Sequence, residues 1–434
     1  MRQSGWWGLF DGLTAGYILA FALALGANNT IVGIIGAIPY VAILFSEVIG
    51  AKLLEHYTRV RIYSIATLLS RLGWLGIIFI PSLLPTHPLL AVLLFFFLIK
   101  FLDYLTDPAW TVLVADVIPN KIRGEFIATR IRRLSITGMI ALLIGGWYLD
   151  LFAPNDLTGF MSMFAVGILF GLTATYIISR MKEPPYLDHE HHGFKEFFKI
   201  EGDFRKYTIF VFFFNFAFML ASPFFTAYIL TDLGQSYWIY ALSTAVATIS
   251  KIFVYKHMGK LSDKFGDKPV LLLSVASTAL VPLAFLFVTP ERLWLLWPVQ
   301  ILTGIAWAGY DVTIFNMFLS LTDPNKRAVQ TATYNIITSI PLVVAPVIGG
   351  FIADNYTFIF AGIPLLFALS AAMRIASSLL LIRIPELRIK HKYPLSEVLM
   401  HSIELHSSRG VHNRWIGFVK TVKRRGMLFV GMLR

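Results

Sequence analysis

Charged and polar residues fall along this chain in short clusters, separated by long apolar runs with no polar face. Crossing about 30 Å of hydrocarbon at about 1.5 Å per residue takes roughly twenty residues, and the runs have that length. Twelve are marked out, near 7–27, 31–53, 62–83, 89–117, 124–150, 158–181, 206–231, 237–257, 269–289, 294–320, 327–353 and 358–383. They predict an all-α integral membrane protein with twelve transmembrane helices. The first run is too long for a cleavable signal and lacks a small-residue cleavage site, so it is read as helix 1.

Composition sharpens this picture. Of 434 residues, 57% are hydrophobic and 14% charged, too little polar surface to cover a water-soluble fold. The net charge of +12 sits on one set of connections: Arg59 and Arg61, Lys121 and Arg123, Lys256 to Lys268, and Lys326 and Arg327. The opposite connections offer only Arg292. That asymmetry is a sign of membrane orientation with both termini cytoplasmic, in the cell membrane, and it argues against nucleic acid as a partner. Membrane lipid is the expected surrounding. The chain has no cysteine, which excludes disulfides and thiol-ligated metal, and no cofactor is expected.

The chain also repeats itself. DPAWTVLVADVIPNKIRG at 107–124 and DVTIFNMFLSLTDPNKRA at 311–328 share a pattern, and each leads into an apolar run ending in Gly-Gly. The expected organisation is an N-terminal six-helix half at 1–181, a cytoplasmic linker at 182–205, a C-terminal six-helix half at 206–383 and a basic tail at 384–434. The linker's His189, His191 and His192, beside Asp188 and Glu190, read as solvated rather than metal-binding, and 194–200 reads as an amphipathic segment on the membrane face. The tail mixes Trp415, Ile416, Phe418 and Val419 with Lys420, Lys423, Arg424 and Arg425, the pattern of an interfacial helix on anionic lipid. Two similar halves in one membrane chain are characteristic of a secondary transporter whose site lies between them.

GKLSDKFGDK, between apolar runs eight and nine, resembles the inner-loop signature of the major facilitator superfamily, G-x-L-x-D-x-x-G-x-[KR], matched here by Gly259, Leu261, Asp263, Gly266 and Lys268. The first-half copy, AKLLEHYTRV at 51–60, departs from it: Ala51 and Thr58 replace the glycines and Glu55 the aspartate. The resemblance implies a twelve-helix fold of two pseudo-symmetric halves, with helices 1, 4, 7 and 10 lining a central cavity. It also implies a cytoplasmic gate in which Asp263, and by analogy Glu55, locks neighbouring helices when the carrier faces outward. APVIGG at 345–350 is similar to an antiporter signature of the family, but lies in helix 11 rather than helix 5, where ALLIGG lacks the proline.

Ionisable groups at membrane depth are costly and therefore functional candidates. Lys100, Asp103 and Asp107, at i, i+3 and i+7 on one expected helix, should share a face toward the cavity. Arg130 and Arg133 reach a similar depth and are placed to neutralise Asp107. Asp311 is the repeat counterpart of Asp107 with no base in its own segment, and Asp11 on helix 1 is in the same position. Such unpartnered carboxylates suit proton exchange, and a Lys–Asp pairing made and broken on helix 4 suits a relay, so Asp11 and Asp311 first, and Asp103 and Asp107 with them, are the proton-coupling candidates. Glu47 and Arg71, at similar depth on helices 2 and 3, are expected to form a structural ion pair. Lys100, Asn215, Phe218, Trp307 and Tyr310 are the candidate substrate cavity, and Pro223 a bend in helix 7.

The function read from these features is secondary active transport of a small organic solute by alternating access, coupled to protons, with export favoured. The alternatives are a uniport or metal-ion carrier of the same fold, the latter with Asp11, Asp103 and Asp107 as oxygen ligands, or a non-transporting receptor. The short outer loops carry no nucleophile, base or metal-ligand motif, so an enzyme is not expected, nor a resident metal.

Overall fold

The structure, a computed structural model, describes residues 2–153, 156–183, 201–323, 327–358 and 360–389. The linker histidines, the amphipathic segment at 194–200 and the interfacial tail helix lie outside the described residues. The first repeat comprises α1 (Arg2–Leu13), α2 (Ile18–Ala24), α3 (Asn29–Leu53), α4 (Arg59–Leu83), α5 (Pro88–Tyr104), α6 (Asp107–Val117), α7 (Asn120–Leu149) and α8 (Leu157–Ser179). The second comprises α9 (Gly202–Met219), α10 (Phe224–Ala227), α11 (Tyr237–Phe265), α12 (Asp267–Phe285), α13 (Leu296–Leu321), α14 (Arg327–Asn355) and α15 (Ile363–Ile382). Among the described residues there is no strand beyond an isolated bridge between Thr357 and Ala361.

Among the described residues, ten helical segments are long and apolar enough to cross a membrane, including Gln3–Ala24, Pro88–Val114 and Gly202–Asp232, each built from more than one helix. Two of the twelve expected spans, α7 and α13, are not among them. The first half of α7 carries Arg123, Arg130, Arg132 and Arg133, and α13 dilutes its apolar residues with Pro298, Gln300, Gly304 and Asp311.

Three long segments are broken, each for a local reason. Between α1 and α2 a 3-10 turn, Ala15–Tyr17, follows Thr14, whose hydroxyl donates to the Phe10 carbonyl at 2.7 Å beside the backbone bond from its own amide at 3.0 Å, a sharing that bends helices. Pro108 interrupts the ladder between α5 and α6 because it has no N–H and its ring crowds the preceding turn. Pro223 does the same between α9 and α10, and a π turn, Tyr228–Asp232, follows. Discontinuous helices of this kind free backbone groups at membrane depth.

Within the first repeat α1 packs on α7 and α8, and α4 on α5 and α8; within the second, α9 packs on α14 and α15, and α13 on α11 and α12. The main helix pairs that cross between the repeats are α3 with α14 and α7 with α11, and the short α10 also touches α2 and α3. Glycine permits both approaches: a Cβ on Gly146 would lie 2.6 Å from the Tyr237 carbonyl, and one on Gly350 would run into that of Asn29. These glycines are the second members of the repeated Gly-Gly pairs. They sit at the end of the bundle away from Arg59 and Lys268, and the largest buried apolar cluster, which includes Phe21, Phe164, Phe224, Phe285 and Phe367, draws on both repeats. Large apolar side chains such as Phe253 and Leu169 are exposed on the outside, as a lipid-facing surface requires.

Candidate functional site

The polar centre of the first repeat is built around Arg71 on α4, which is 1% exposed. A buried guanidinium needs a counter-charge and filled donors. Its Nη1 pairs with Asp103 Oδ1 on α5 at 2.8 Å. Ser70 donates to that same oxygen at 2.7 Å and accepts from Arg71 Nη1 at 3.0 Å. The guanidinium lies 4.0 Å from the Phe10 ring centroid, a cation–π contact from α1. Gly171 on α8 leaves the room, since a Cβ there would sit 2.6 Å from Arg71 Cδ and 2.9 Å from the Phe10 ring. The expected partnership of Arg71 with Glu47 is therefore not formed. Arg71 points inward to α5 and α1, whereas Glu47 lies on an exposed face of α3.

Asp11 is half-buried next to this pair, in electrostatic reach of Lys100, Asp103 and Arg71. Its carboxylate makes no hydrogen bond or ion pair among the described residues. Lys100 is half-buried too, its Nζ 5.5 Å from the Phe96 ring. The expectation that Lys100, Asp103 and Asp107 share one helical face fails at the break before Pro108. Asp103 ends one helix and is spent on Arg71, while Asp107 opens the next and is exposed. Arg130 stacks over Trp110 at 4.4 Å and lies in electrostatic reach of Asp107, while Arg133 is exposed. Among the described residues no group of three or more His, Cys, Asp and Glu is placed to hold a metal.

The second repeat is aromatic where the first is charged. Trp307 lies edge-on to Phe218 with centroids 4.6 Å apart, and Tyr310 stacks on Phe214 at 4.7 Å. Three of the expected cavity residues, Phe218, Trp307 and Tyr310, thus form one cluster; Lys100 stands apart from it in the first repeat. Asn215 gives its amide to the Thr338 carbonyl on α14 at 3.0 Å, which ties two helices together. Behind Phe218 lies Arg374, 1% exposed, donating to the Thr278 carbonyl at 2.7 Å and to Ser370 Oγ at 3.1 Å. Asp311 is not unpartnered as expected: Lys251, reaching across from α11, pairs with it at 2.5 Å. No spacing within the segment around Asp311 reveals a base on a different helix.

At the basic end both repeats build the same knot around helix starts. Glu183 accepts from the Arg59 and Val60 amides at 3.1 and 2.9 Å and from Arg59 Nε at 2.7 Å, and Arg59 also bonds Asp116. Burial alone would raise the Glu183 carboxyl, but these hydrogen bonds and the guanidinium hold it below its ordinary value. In the second repeat Glu386 accepts from the Lys268 amide at 2.7 Å. Ser262 and Asn316 hydrogen-bond Asp267, and Arg388 pairs with Asp263 at 2.5 Å and Asp267 at 3.5 Å.

The gate residues read from the sequence divide accordingly. Asp263 and Lys268 join this knot, and Gly266 is required by its backbone (φ +96°) and by Glu386, which lies 2.7 Å from where a Cβ would stand. Gly259 meets no neighbour within 4 Å, and Glu55 is exposed with no ion pair among the described residues. Arg59, which the motif alignment sets opposite Asp267, joins the first-repeat knot, whereas Glu55 does not. Arg59, Asp116, Glu183, Asp267, Glu386 and Arg388 were missed. The two glutamates just past the last helix of each repeat were the available signal.

Comparison with known proteins agrees with this architecture. The family model described as Major Facilitator Superfamily matches residues 8–255 and 207–433. The tetracycline resistance protein, class H, of Pasteurella multocida is 34% identical over 120 residues, 27% of this chain and 29% of that protein's length. The uncharacterized MFS-type transporter YitZ of Bacillus subtilis (strain 168) is 29% identical over 166 residues, 36% of this chain and 96% of that one. Among solved structures, a D-xylose–proton symporter superposes with a TM-score of 0.72 at 13% identity, covering 90% of this chain and 98% of that one. A bacterial homologue of the iron transporter ferroportin gives 0.67 at 13% identity, with 88% and 98% covered. These two likenesses show the fold alone. With the family model matching nearly the whole chain, this multi-pass protein of the cell membrane belongs to the major facilitator superfamily of transporters.

Proposed function

We propose that the chain is a secondary active carrier that exports a small organic solute by alternating access, coupled to protons. Its twelve helices all span the membrane, with 1–181 and 206–383 as the two moving bodies, 182–205 as the linker and both termini cytoplasmic. Two unpaired groups, Asp11 and Lys100, flanking the buried pair of Arg71 and Asp103, carry this reading. A charged carboxylate inside a membrane protein is costly without a partner, and taking up a proton or a cationic solute relieves that cost. Arg71 cannot serve as that partner while it is held by Asp103, Ser70 and Phe10. Asp11 is thus left free to exchange.

The aromatic cluster of Phe218, Trp307 and Tyr310 suits the apolar part of a solute. The half-exposed pair of Lys251 and Asp311 on the same repeat provides a second exchangeable charge pair. Proton and solute then need only bind one arrangement better than the other for transport to be coupled. Export is favoured because two curated relatives are, by name, tetracycline resistance proteins. A metal cargo is disfavoured because Asp103 is already committed to a guanidinium. Family and fold neighbours are transporters rather than enzymes.

Purified protein in proteoliposomes loaded with a pH dye tests the reading, with solutes offered as cationic drugs, sugars, amino acids and divalent metals. Solute-dependent proton movement is expected with an organic compound. Flux with no proton signal would make the protein a uniporter or a carrier coupled to another ion, and no flux with any class would overturn the carrier reading.

A further inference from the structure

The two long helix pairs that cross between the repeats share one more feature. IGGWYLD at 144–150 and IGGFIAD at 348–354 both run Gly-Gly, three residues, Asp. The second glycine of each lets the backbones of α7 and α11, or of α14 and α3, approach, and the aspartate lies one helical turn further on, at the end of the helix. Asp150 accepts from the Tyr237 amide at 2.9 Å and the Trp238 amide at 3.0 Å. Asp354 accepts from the Asn29 and Thr30 amides at 3.2 and 2.8 Å, and from their side chains at 3.0 and 2.6 Å. In both cases a carboxylate from one repeat meets the first two free amides of a helix in the other.

Those helix starts are already partly capped from within their own repeat. Asn28 accepts from the Ile31 amide at 3.0 Å and Ser236 from the Ile239 amide at 3.3 Å. Each helix therefore supplies its own cap for the third amide and takes the foreign carboxylate for the first two. The positive end of the helix dipole attracts that carboxylate. Asp150 and Asp354 are exposed, so on separation water replaces both partners; the contact can open and re-form, with a modest net preference for the closed form.

We propose that Asp150 and Asp354 are two symmetry-related latches that hold the end of the bundle opposite Arg59 and Lys268 closed, each capping a helix of the other half. Their gating role rests on the alternating-access reading above. The latches set how strongly the carrier prefers the arrangement closed at this end, and neither takes part in binding solute.

The absence of cysteine from the chain makes the test direct. Leu84→Cys and Trp294→Cys introduce two exposed labelling sites at this end, one in each repeat. Spin-label distances between them are measured in lipid without any solute. Asp150→Ala and Asp354→Ala, which leave no side-chain acceptor for the facing amides, are each expected to move the closed-to-open ratio roughly five-fold toward the longer distance, and the double variant by their product. An unchanged distance distribution in a monodisperse double variant would overturn the proposal. If the double variant does not fold, the single variants, which keep one latch, carry the same test. Because no solute is present, a protein that transports nothing yet shows the shift would count against the carrier reading and leave the latches standing.

Discussion

Arg71 and Asp103 meet at 2.8 Å in the interior of the first repeat, and this pairing keeps Arg71 from serving as the partner of Asp11. Removing one member strands a buried charge, which typically costs about 3–5 kcal/mol, whereas replacing both with apolar residues is far milder. Asp103→Leu is therefore expected to lower the melting temperature of the detergent-solubilised protein sharply. The double variant Arg71→Leu, Asp103→Leu should recover much of that loss. Equal melting temperatures for the single and double variants would show that the pair is not the stabilising unit.

Gly171 makes the pair possible by leaving its Cβ position to Arg71 and Phe10. Gly171→Ala overpacks this point, and a loss of about 1–3 kcal/mol is expected. Gly138, where an added Cβ meets nothing closer than 3.5 Å, is the matched control, and its alanine variant should melt close to the parent.

Acid should loosen the basic end of the first repeat. The carboxyl of Glu183 is held below its ordinary value of 4.5 in the folded protein. A depressed value means that its contribution to stability is fully present above pH 4.5, and is lost as pH falls through the folded value. Glu183→Gln should thus lower the melting temperature at neutral pH and flatten its fall on acidification. Parallel melting curves for the variant and the parent across that range would remove the group from the acid response.

Lys251 and Asp311 pair at 2.5 Å with side chains 38% and 33% exposed, so the bond is screened by water and worth under about 1 kcal/mol of stability. Lys251→Gln should leave the melting temperature nearly unchanged while altering the pH profile of transport, because Asp311 then stands alone. An unaltered profile would assign the pair to packing.

Much of the fold was legible because the apolar runs and the helices share boundaries set by charge, glycine and proline. Arg59 opens α4 and Gly266 separates α11 from α12. Helix rotation was harder to read. Glu47 and Arg71 were matched by depth, but depth does not say which way a side chain points, and Arg71 turns toward α5. The Asp-Pro pair at 107–108 was visible in the sequence and marks the break that separates Asp103 from Asp107; spacing on an unbroken helix concealed it. Lys251 lies on α11, far from Asp311 along the chain, so only the packed structure supplies that partner. Asp150 and Asp354 were within reach, since each follows its Gly-Gly at the same interval, but their meaning depends on which helix starts they face.

The most direct test of the central claim is solute-coupled proton movement through Asp11→Asn in proteoliposomes, measured beside solute exchange at equal concentrations on both sides. Asp11→Asn should retain exchange and lose the proton signal, because rocking needs no net proton transfer whereas coupling needs a carboxyl that gains and loses one. A variant that still moves protons with its solute at the wild-type ratio would contradict the account and return Asp11 to a structural role.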